Sequence, residues 1–108
     1  MKTARLSEMK RGWFIGDFEP SLDRTCAVEV AVKSYKAGEH EEKHFHKIAT
    51  EYTVIINGEV EMFGKRFAAG DIVVCEPGDA TDFTAISDAT NVVVKLPGAS
   101  HDKYICEE

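Results

Sequence analysis

Short β-strand patterns separated by turn residues run along most of this chain and constrain its fold more than any other feature. Valine alternates with alanine and glutamate over Cys26–Tyr35, and Glu51–Ile56 is rich in β-branched and aromatic residues. Further strands are predicted at Glu59–Phe63, Ile72–Cys75, Thr81–Ala85 and Asn91–Leu96. Many short strands, with no long amphipathic helical pattern, predict an all-β sandwich or barrel.

Turn residues between the predicted strands indicate how the chain reverses. Asn57-Gly58 is among the strongest short hairpin signals, so we expect it to pair Glu51–Ile56 with Glu59–Phe63. A turn at Gly64-Lys65 then leads towards the apolar run Ile72–Cys75. The charged run Glu39–Lys43 is interpreted as a solvated loop.

Length, charge and cysteine content limit the classes of function. A chain of 108 residues has room for one core, so we expect a single domain over residues 1–108. A net charge of -6 gives no reason to expect nucleic acid or an anionic membrane as partner, and no apolar run approaches the ~20 residues of a membrane span. Three cysteines without a CxxC pair, and no hydrophobic segment near the N-terminus, predict a cytoplasmic protein.

Two histidines and a glutamate form a candidate metal site. His44 and His46 are two residues apart, and on a β-strand this spacing projects both imidazoles from one face. The carboxylate of Glu51, on the next strand, would complete a three-cornered site. Two neutral imidazoles and a carboxylate, with positions left open, suit a divalent transition metal such as Fe, Mn, Ni or Zn. The alternative interpretation is a solvated polar loop.

The side chains around these three residues predict a small-molecule pocket. Alternation places Thr53 and Ile55 on the same face as Glu51, and Thr81 with Phe83 on one face of a later strand. Thr81 is a candidate for positioning substrate or a metal-bound water. A polar and apolar lining of this kind is typical of ligand cavities.

Other charged residues are weaker candidates for the site. His40 shares the even numbering of His44 but is expected in a turn at the surface, and His101 is expected in a solvated tail. Glu29 and Lys95 lie within predicted strands, where each either lines the cavity or faces solvent.

The spacing of glycines around the site resembles a known family. Gly38, His44, His46, Glu51 and Gly58 are spaced as in the first signature of the cupin superfamily, and Gly70–Gly78 is similar to the start of the second. The resemblance covers about residues 26–96 and implies a cupin-like β-barrel, also called a jelly roll or double-stranded β-helix. Where cupins usually carry a third histidine this chain has Thr81, which leaves a three-ligand site or one completed by another residue. Small cupins commonly pair through an outer sheet face, so the resemblance also implies a homodimer.

Three functions follow from these observations. The first is a metal-dependent enzyme of the oxygenase or isomerase type, acting on a small molecule in the barrel cavity. The alternative is a non-catalytic module that binds or senses a small molecule, because a fold does not determine its chemistry. The third is a metal-free catalyst in which the histidines act as acid and base.

Overall fold

The computed structural model describes residues 1–99 and 101–106, and its regular structure is dominated by β-strands. One 3-10 turn, Leu6–Glu8, precedes them. No helix among the described residues is long and apolar enough to cross a membrane. The strands are β1 (Trp13–Ile15), β2 (Glu29–Tyr35), β3 (His40–His46), β4 (Thr50–Asn57), β5 (Glu59–Met62), β6 (Lys65–Ala68), β7 (Ile72–Cys75), β8 (Thr81–Ala85), β9 (Ala89–Leu96) and β10 (Lys103–Ile105).

The strands form two five-stranded antiparallel sheets that face each other. Sheet A has the order β1-β2-β9-β4-β7, and sheet B has the order β10-β3-β8-β5-β6. From β2 to β5, and again from β7 to β10, each successive strand lies in the opposite sheet. This alternation is the winding of a jelly roll, so the predicted all-β fold is confirmed.

Most predicted strands form within a residue or two of their expected bounds. The predictions Ile72–Cys75 and Thr81–Ala85 match β7 and β8. The strand predicted from Cys26 begins instead at Glu29. Residues ahead of it form a turn in which Thr25 Oγ1 accepts the Ala27 N–H at 3.0 Å. The hydroxyl thereby accepts an N–H that would otherwise donate to a neighbouring strand.

The hairpin predicted at Asn57-Gly58 is wrong, because β4 lies in sheet A and β5 in sheet B. This dipeptide carries the chain between the sheets. Gly58 has a φ of +82°, and a Cβ there would lie 2.2 Å from the Asp88 carbonyl oxygen. The hairpin forms one strand later, between β5 and β6, across Phe63 and Gly64 with φ of +52° and +68°. Positive φ at both turn residues is typical of a type I′ turn.

The expected loop at Glu39–Lys43 is also wrong, because β3 begins at His40 and pairs with β8. Glu41 pairs with Phe83 and His44 with Thr81, so β3 carries one extra residue between the two pairs. Such a β-bulge reverses the alternation of side chains. Glu41 therefore shares the inward face with His44, whereas His40 is exposed.

The interior between the sheets is apolar at one end and polar at the other. The apolar end is a cluster that includes Ile55, Val60, Met62 and Phe83, all at most 5% exposed. The inward positions of Thr53, Ile55, Thr81 and Phe83 confirm the predicted alternation. At the other end, Glu29, Lys95 and Glu51 are neighbours in one row across β2, β9 and β4.

Candidate metal centre

His46 and Glu51 approach each other across the sandwich. His46 ends β3 in sheet B, Glu51 follows the first residue of β4 in sheet A, and their Nε2 and Oε2 atoms are 2.9 Å apart. The His46 residue is 5% exposed. The contact has the distance of an ion pair but lacks the direction of a hydrogen bond, so the buried Nε2 has no hydrogen-bond partner within the described chain.

Backbone carbonyl groups orient both imidazoles. His46 Nδ1 is 3.0 Å from the Asp102 carbonyl oxygen, and His44 Nδ1 is 2.8 Å from that of Glu42. A carbonyl oxygen only accepts, so each Nδ1 carries the proton and donates it. In a neutral ring the lone pair then lies on Nε2, as in histidines that bind metals through that atom. At His46 this nitrogen lies 2.9 Å from a carboxylate oxygen, and two acceptors at that distance require a proton or a cation between them.

Burial and neighbouring charge favour the protonation states that a metal needs. Burial lowers the pKa of half-buried His44 and thereby favours its neutral form. Burial alone would raise the pKa of Glu51, but its contact with His46 and the charge of Lys95 outweigh this, so the pKa is lowered. The donor set at neutral pH includes a neutral imidazole and a carboxylate, which suits a divalent ion.

The three residues are close together but do not yet surround a common point. In the described chain, no three His, Cys, Asp or Glu side chains are arranged to hold an ion without moving. The His44 and His46 rings are 5.5 Å apart and nearly perpendicular. Two ligand atoms at right angles, each about 2.1 Å from one ion, lie about 3 Å apart. The spacing of His46 and Glu51 fits such a pair, and a third ligand requires a change in a side-chain position.

Thr81 lies beside His44 in the β3–β8 register and lines the same cavity. Its hydroxyl donates to the Asp82 carbonyl oxygen at 2.7 Å and accepts the Phe63 N–H at 2.8 Å. A hydroxyl has one proton and two lone pairs. Among the described residues, one lone pair of Thr81 is therefore left without a donor.

The candidate site lies between a deep pocket and an open vestibule. The deep pocket has a volume of about 30 Å³, and the vestibule has a volume of about 550 Å³. The vestibule is also bordered by Trp13, Phe18 and Lys95. Five residues line both spaces, namely Lys33, Glu41, His44, His46 and Glu51. The imidazoles and the carboxylate are therefore accessible to a small molecule entering from the vestibule.

Comparison with solved structures identifies the fold. A conserved protein of Klebsiella pneumoniae with a double-stranded β-helix domain matches with a TM-score of 0.69 and 24% identity, over 78% of this chain and 74% of that one. A cupin protein of Bacteroides fragilis matches with a TM-score of 0.57 and 20% identity, over 74% of each chain. This chain has the cupin fold.

A third protein with the cupin fold covers nearly the whole chain. The DMSP lyase DddQ of Ruegeria pomeroyi matches with a TM-score of 0.70 and 19% identity, over 96% of this chain and 56% of that one. No family model matches the sequence, and no curated protein matches it. The resemblance to cupins predicted from the glycine and histidine spacing is confirmed at the level of the fold.

Several residues of this cupin cavity were not predicted from the sequence. The Lys33 ammonium is 3.1 Å from the Glu41 carboxylate, and Tyr35 packs against Phe83 with ring centroids 4.5 Å apart. Burial raises the pKa of Tyr35 to about 12, so it stays protonated at neutral pH. The Asn91 Oδ1 is buried without a hydrogen-bond partner in the described structure. The sequence signal for Lys33 was its spacing from Glu29, because residues four apart on one strand face the same side.

The structure gives the positions of the polar residues that the sequence did not assign to either the cavity or the surface. Glu29 is buried and accepts the Ala99 N–H at 2.7 Å, and Lys95 lines the vestibule. His40 is exposed, with Nδ1 2.8 Å from Thr84 Oγ1, and His101 is exposed. Cys75 is buried, which raises the pKa of its thiol to about 12.

Asp102 supports the site from the C-terminal part of the chain. Its side chain accepts hydrogen bonds from the N–H groups of Lys47, Ile48 and Ala49 at 2.9–3.2 Å. Its carbonyl oxygen accepts from His46 Nδ1. Asp102 therefore fixes both the turn after β3 and the ring that ends β3. The sequence gives little sign of this, because the contact spans more than 50 residues.

Proposed function

We propose that this single-domain cupin binds one divalent transition metal, Fe, Mn, Ni or Zn, through His44, His46 and Glu51 and is a metal-dependent enzyme acting on a small molecule. The observation that carries the proposal is His46 Nε2, a buried acceptor without a hydrogen-bond partner in the described chain, 2.9 Å from a carboxylate. An unsatisfied buried polar atom costs about 1–3 kcal/mol, and a bound cation would remove that cost.

The cavity supports chemistry of the oxygenase or isomerase type. A bound ion would supply Lewis acidity or, if it is iron, reactivity towards oxygen. Lys33 and Glu41 place an ammonium and a carboxylate 3.1 Å apart in the same cavity, where they can orient a polar substrate. We assign Thr81 the positioning of substrate or water through its remaining lone pair. DddQ, of the same fold, is a lyase, which supports catalysis as a use of this scaffold.

Metal analysis of a matched pair of variants tests the proposal. Wild type, His46→Ala and His101→Ala are each incubated with one of the four metals, desalted and analysed for metal content. We expect about one ion per chain in wild type and in His101→Ala, which alters an exposed residue. His46→Ala should retain less than about a tenth of that amount. Equal metal content in wild type and His46→Ala would overturn the proposal.

A non-catalytic binding module is the second candidate function. The vestibule of about 550 Å³ is large enough for a small ligand even without turnover. Metal-loaded protein is therefore mixed with phenols, thiols and keto acids. Oxygen uptake and product formation measure turnover, and calorimetry measures binding. Binding without product formation would favour the module over the enzyme.

We also propose that the protein is a homodimer that pairs through the outer face of sheet A. This face carries exposed Tyr52, Ile56, Ile72 and Val74 on the neighbouring strands β4 and β7. Tyr52 and Val74 are direct cross-strand partners, so the apolar side chains are contiguous. A contiguous apolar face of this kind is typical of a protein interface.

A cytoplasmic location remains part of the proposal. It is supported by three free cysteines, Cys26, Cys75 and Cys106, which suit a reducing compartment.

A further inference from the structure

Lys95 places a positive charge at the mouth of the cavity, and no carboxylate of the described residues is paired with it. It is partly buried, and its Nζ lies 5.1 Å from the centre of the Trp13 ring. Its cross-strand neighbours Glu29 and Glu51 are engaged elsewhere, with the Ala99 N–H and with His46. Among the described residues Lys95 forms no ion pair. A partly buried ammonium in this position is available to an anionic ligand.

The lining of the vestibule has one more cation than carboxylate, although the whole chain is negative. Lys33 Nζ lies 5.9 Å from the same Trp13 ring, but it is paired with Glu41. The vestibule is lined by four carboxylates, of Glu19, Glu29, Glu41 and Glu51, whereas the whole chain has a net charge of -6. Its five cations are Lys10, Arg11, Lys33, Lys95 and Lys103. The excess of cations at this one place favours an anion.

A bound metal ion would strengthen the preference of the vestibule for an anion. This step of the inference rests on the proposed function. Glu51 contributes the negative charge next to Lys95, its cross-strand neighbour on β9. An ion held by one carboxylate and two neutral imidazoles keeps a net charge of +1. That charge and the Lys95 ammonium repel each other in a partly buried space, where screening by water is weak. A bound anion relieves the repulsion.

The surrounding structure suits a carboxylate better than a phosphate. Phosphate sites are commonly built from clustered backbone N–H groups at helix N-termini or in turns. Here β2, β9 and β4 form the wall beside Lys95, and each is paired in sheet A. The cationic groups of this wall are the side chains of Lys33 and Lys95, so an anion here is bound by side chains rather than by clustered backbone N–H groups.

We propose that the vestibule binds small organic carboxylates, with the carboxylate group between Lys95 and the His44, His46 and Glu51 cluster. The ligand thereby neutralises the ammonium and fills the open side of the site. The rest of the molecule occupies the vestibule against Trp13 and Phe18, which supply apolar surface.

Calorimetric titration with succinate and its neutral analogue succinamide tests the assignment. Zinc-loaded wild type should bind succinate at least about tenfold more tightly than succinamide. Lys95→Met keeps the hydrocarbon stem but removes the charge, and it should lower succinate affinity about tenfold while metal content stays unchanged. Lys95→Arg should restore binding. Lys65→Met, at an exposed site on β6, is the control and should bind like wild type.

Several outcomes would overturn the assignment. Equal binding of succinamide and succinate, unchanged succinate affinity in Lys95→Met, or tighter binding of inorganic phosphate than of succinate would each do so. Lys95→Gln serves as the second charge-removing variant if Lys95→Met does not fold. Wild type that binds no metal but still prefers succinate, with the preference dependent on Lys95, gives a different result. That outcome would reject the proposed function and keep this inference.

Discussion

At the scale of single residues, the hydrogen bonds of His46 determine what the site can do. Nδ1 donates to the Asp102 carbonyl, so Nε2 must meet Glu51 either as a protonated ring or through a cation. The sequence predicted that His44, His46 and Glu51 converge on one ion; His46 and Glu51 lie 2.9 Å apart, and the three described side chains do not surround a common point. It did not predict Glu41 or Asp102, because the position of Glu41 depends on the bulge in β3 and that of Asp102 on a contact between distant parts of the chain.

Removing the charge of Glu51 should weaken metal binding. In Glu51→Gln the side chain keeps its shape, but a neutral amide is a weaker ligand than a carboxylate. We expect zinc affinity, measured by competition with a chromogenic chelator, to fall at least about tenfold, which is about 1.4 kcal/mol. Glu76→Gln, an exposed residue just after β7, should bind zinc like wild type. Unchanged affinity in Glu51→Gln would exclude this carboxylate as a ligand.

The carboxylate of Asp102 should stabilise the fold in a pH-dependent manner. Burial would raise its pKa, but the N–H groups of Ala49, Ile48 and Lys47 lower it below the ordinary value. A lowered pKa means that the stabilisation is present above the unfolded-state pKa of about 3.9 and is lost as the pH falls through the folded-state value. Asp102→Asn should therefore cost about 1–3 kcal/mol in urea unfolding at pH 7.

The same comparison at low pH provides the control for Asp102. Below the folded-state pKa the wild-type carboxyl is protonated too, so the difference between wild type and Asp102→Asn should shrink. A difference that is as large at pH 2.5 as at pH 7 would show that ionisation of Asp102 is not its cause.

At the scale of elements, sequence patterns predicted where strands occur better than how they pair. β4, β7 and β8 follow from local alternation, which depends only on the chain itself. The sequence did not determine which face of β2 points inward, because its valines are typical of a core face. Val30 and Val32 lie on the outer face instead, where they are half-buried, and Val32 borders a groove together with Leu6, Met9 and Phe14. Pairing between sheets and the bulge in β3 depend on distant partners, and local patterns do not contain that information.

The turn between β5 and β6 should be stabilised by a residue that tolerates positive φ. Phe63 has a φ of +52° and is 40% exposed, and a non-glycine residue at this φ carries a backbone strain of about 1 kcal/mol. Phe63→Asn should raise the free energy of unfolding by up to about 1 kcal/mol, measured by urea denaturation. Phe67→Asn, which removes packing against the core cluster, should lower it. Destabilisation by Phe63→Asn would argue against the type I′ turn.

At the scale of the whole molecule, polar and apolar surfaces are distributed unevenly. The vestibule has five cations and four carboxylates on a chain with a net charge of -6, and the outer face of sheet A exposes aliphatic side chains. β7 is also the edge strand of sheet A. An apolar face beside an unpaired edge is a surface that natural proteins usually cover.

A charge on this face should separate the proposed dimer. Wild type should have the mass of a dimer by light scattering at micromolar concentration. Ile72→Glu places a carboxylate on the exposed face of β7, and we expect the mass of a monomer. Ile105→Glu, at an exposed position on β10 in the other sheet, should remain a dimer. A monomeric wild type would remove the homodimer from the account.

The central claim is that two imidazoles and one carboxylate bind a single ion inside the cupin cavity. Anomalous X-ray diffraction from crystals grown with zinc tests it most directly. The account predicts one strong anomalous peak at about 2.0–2.2 Å from His44 Nε2, His46 Nε2 and a Glu51 carboxylate oxygen. An ion bound elsewhere, with His46 and Glu51 still in direct contact, would contradict it.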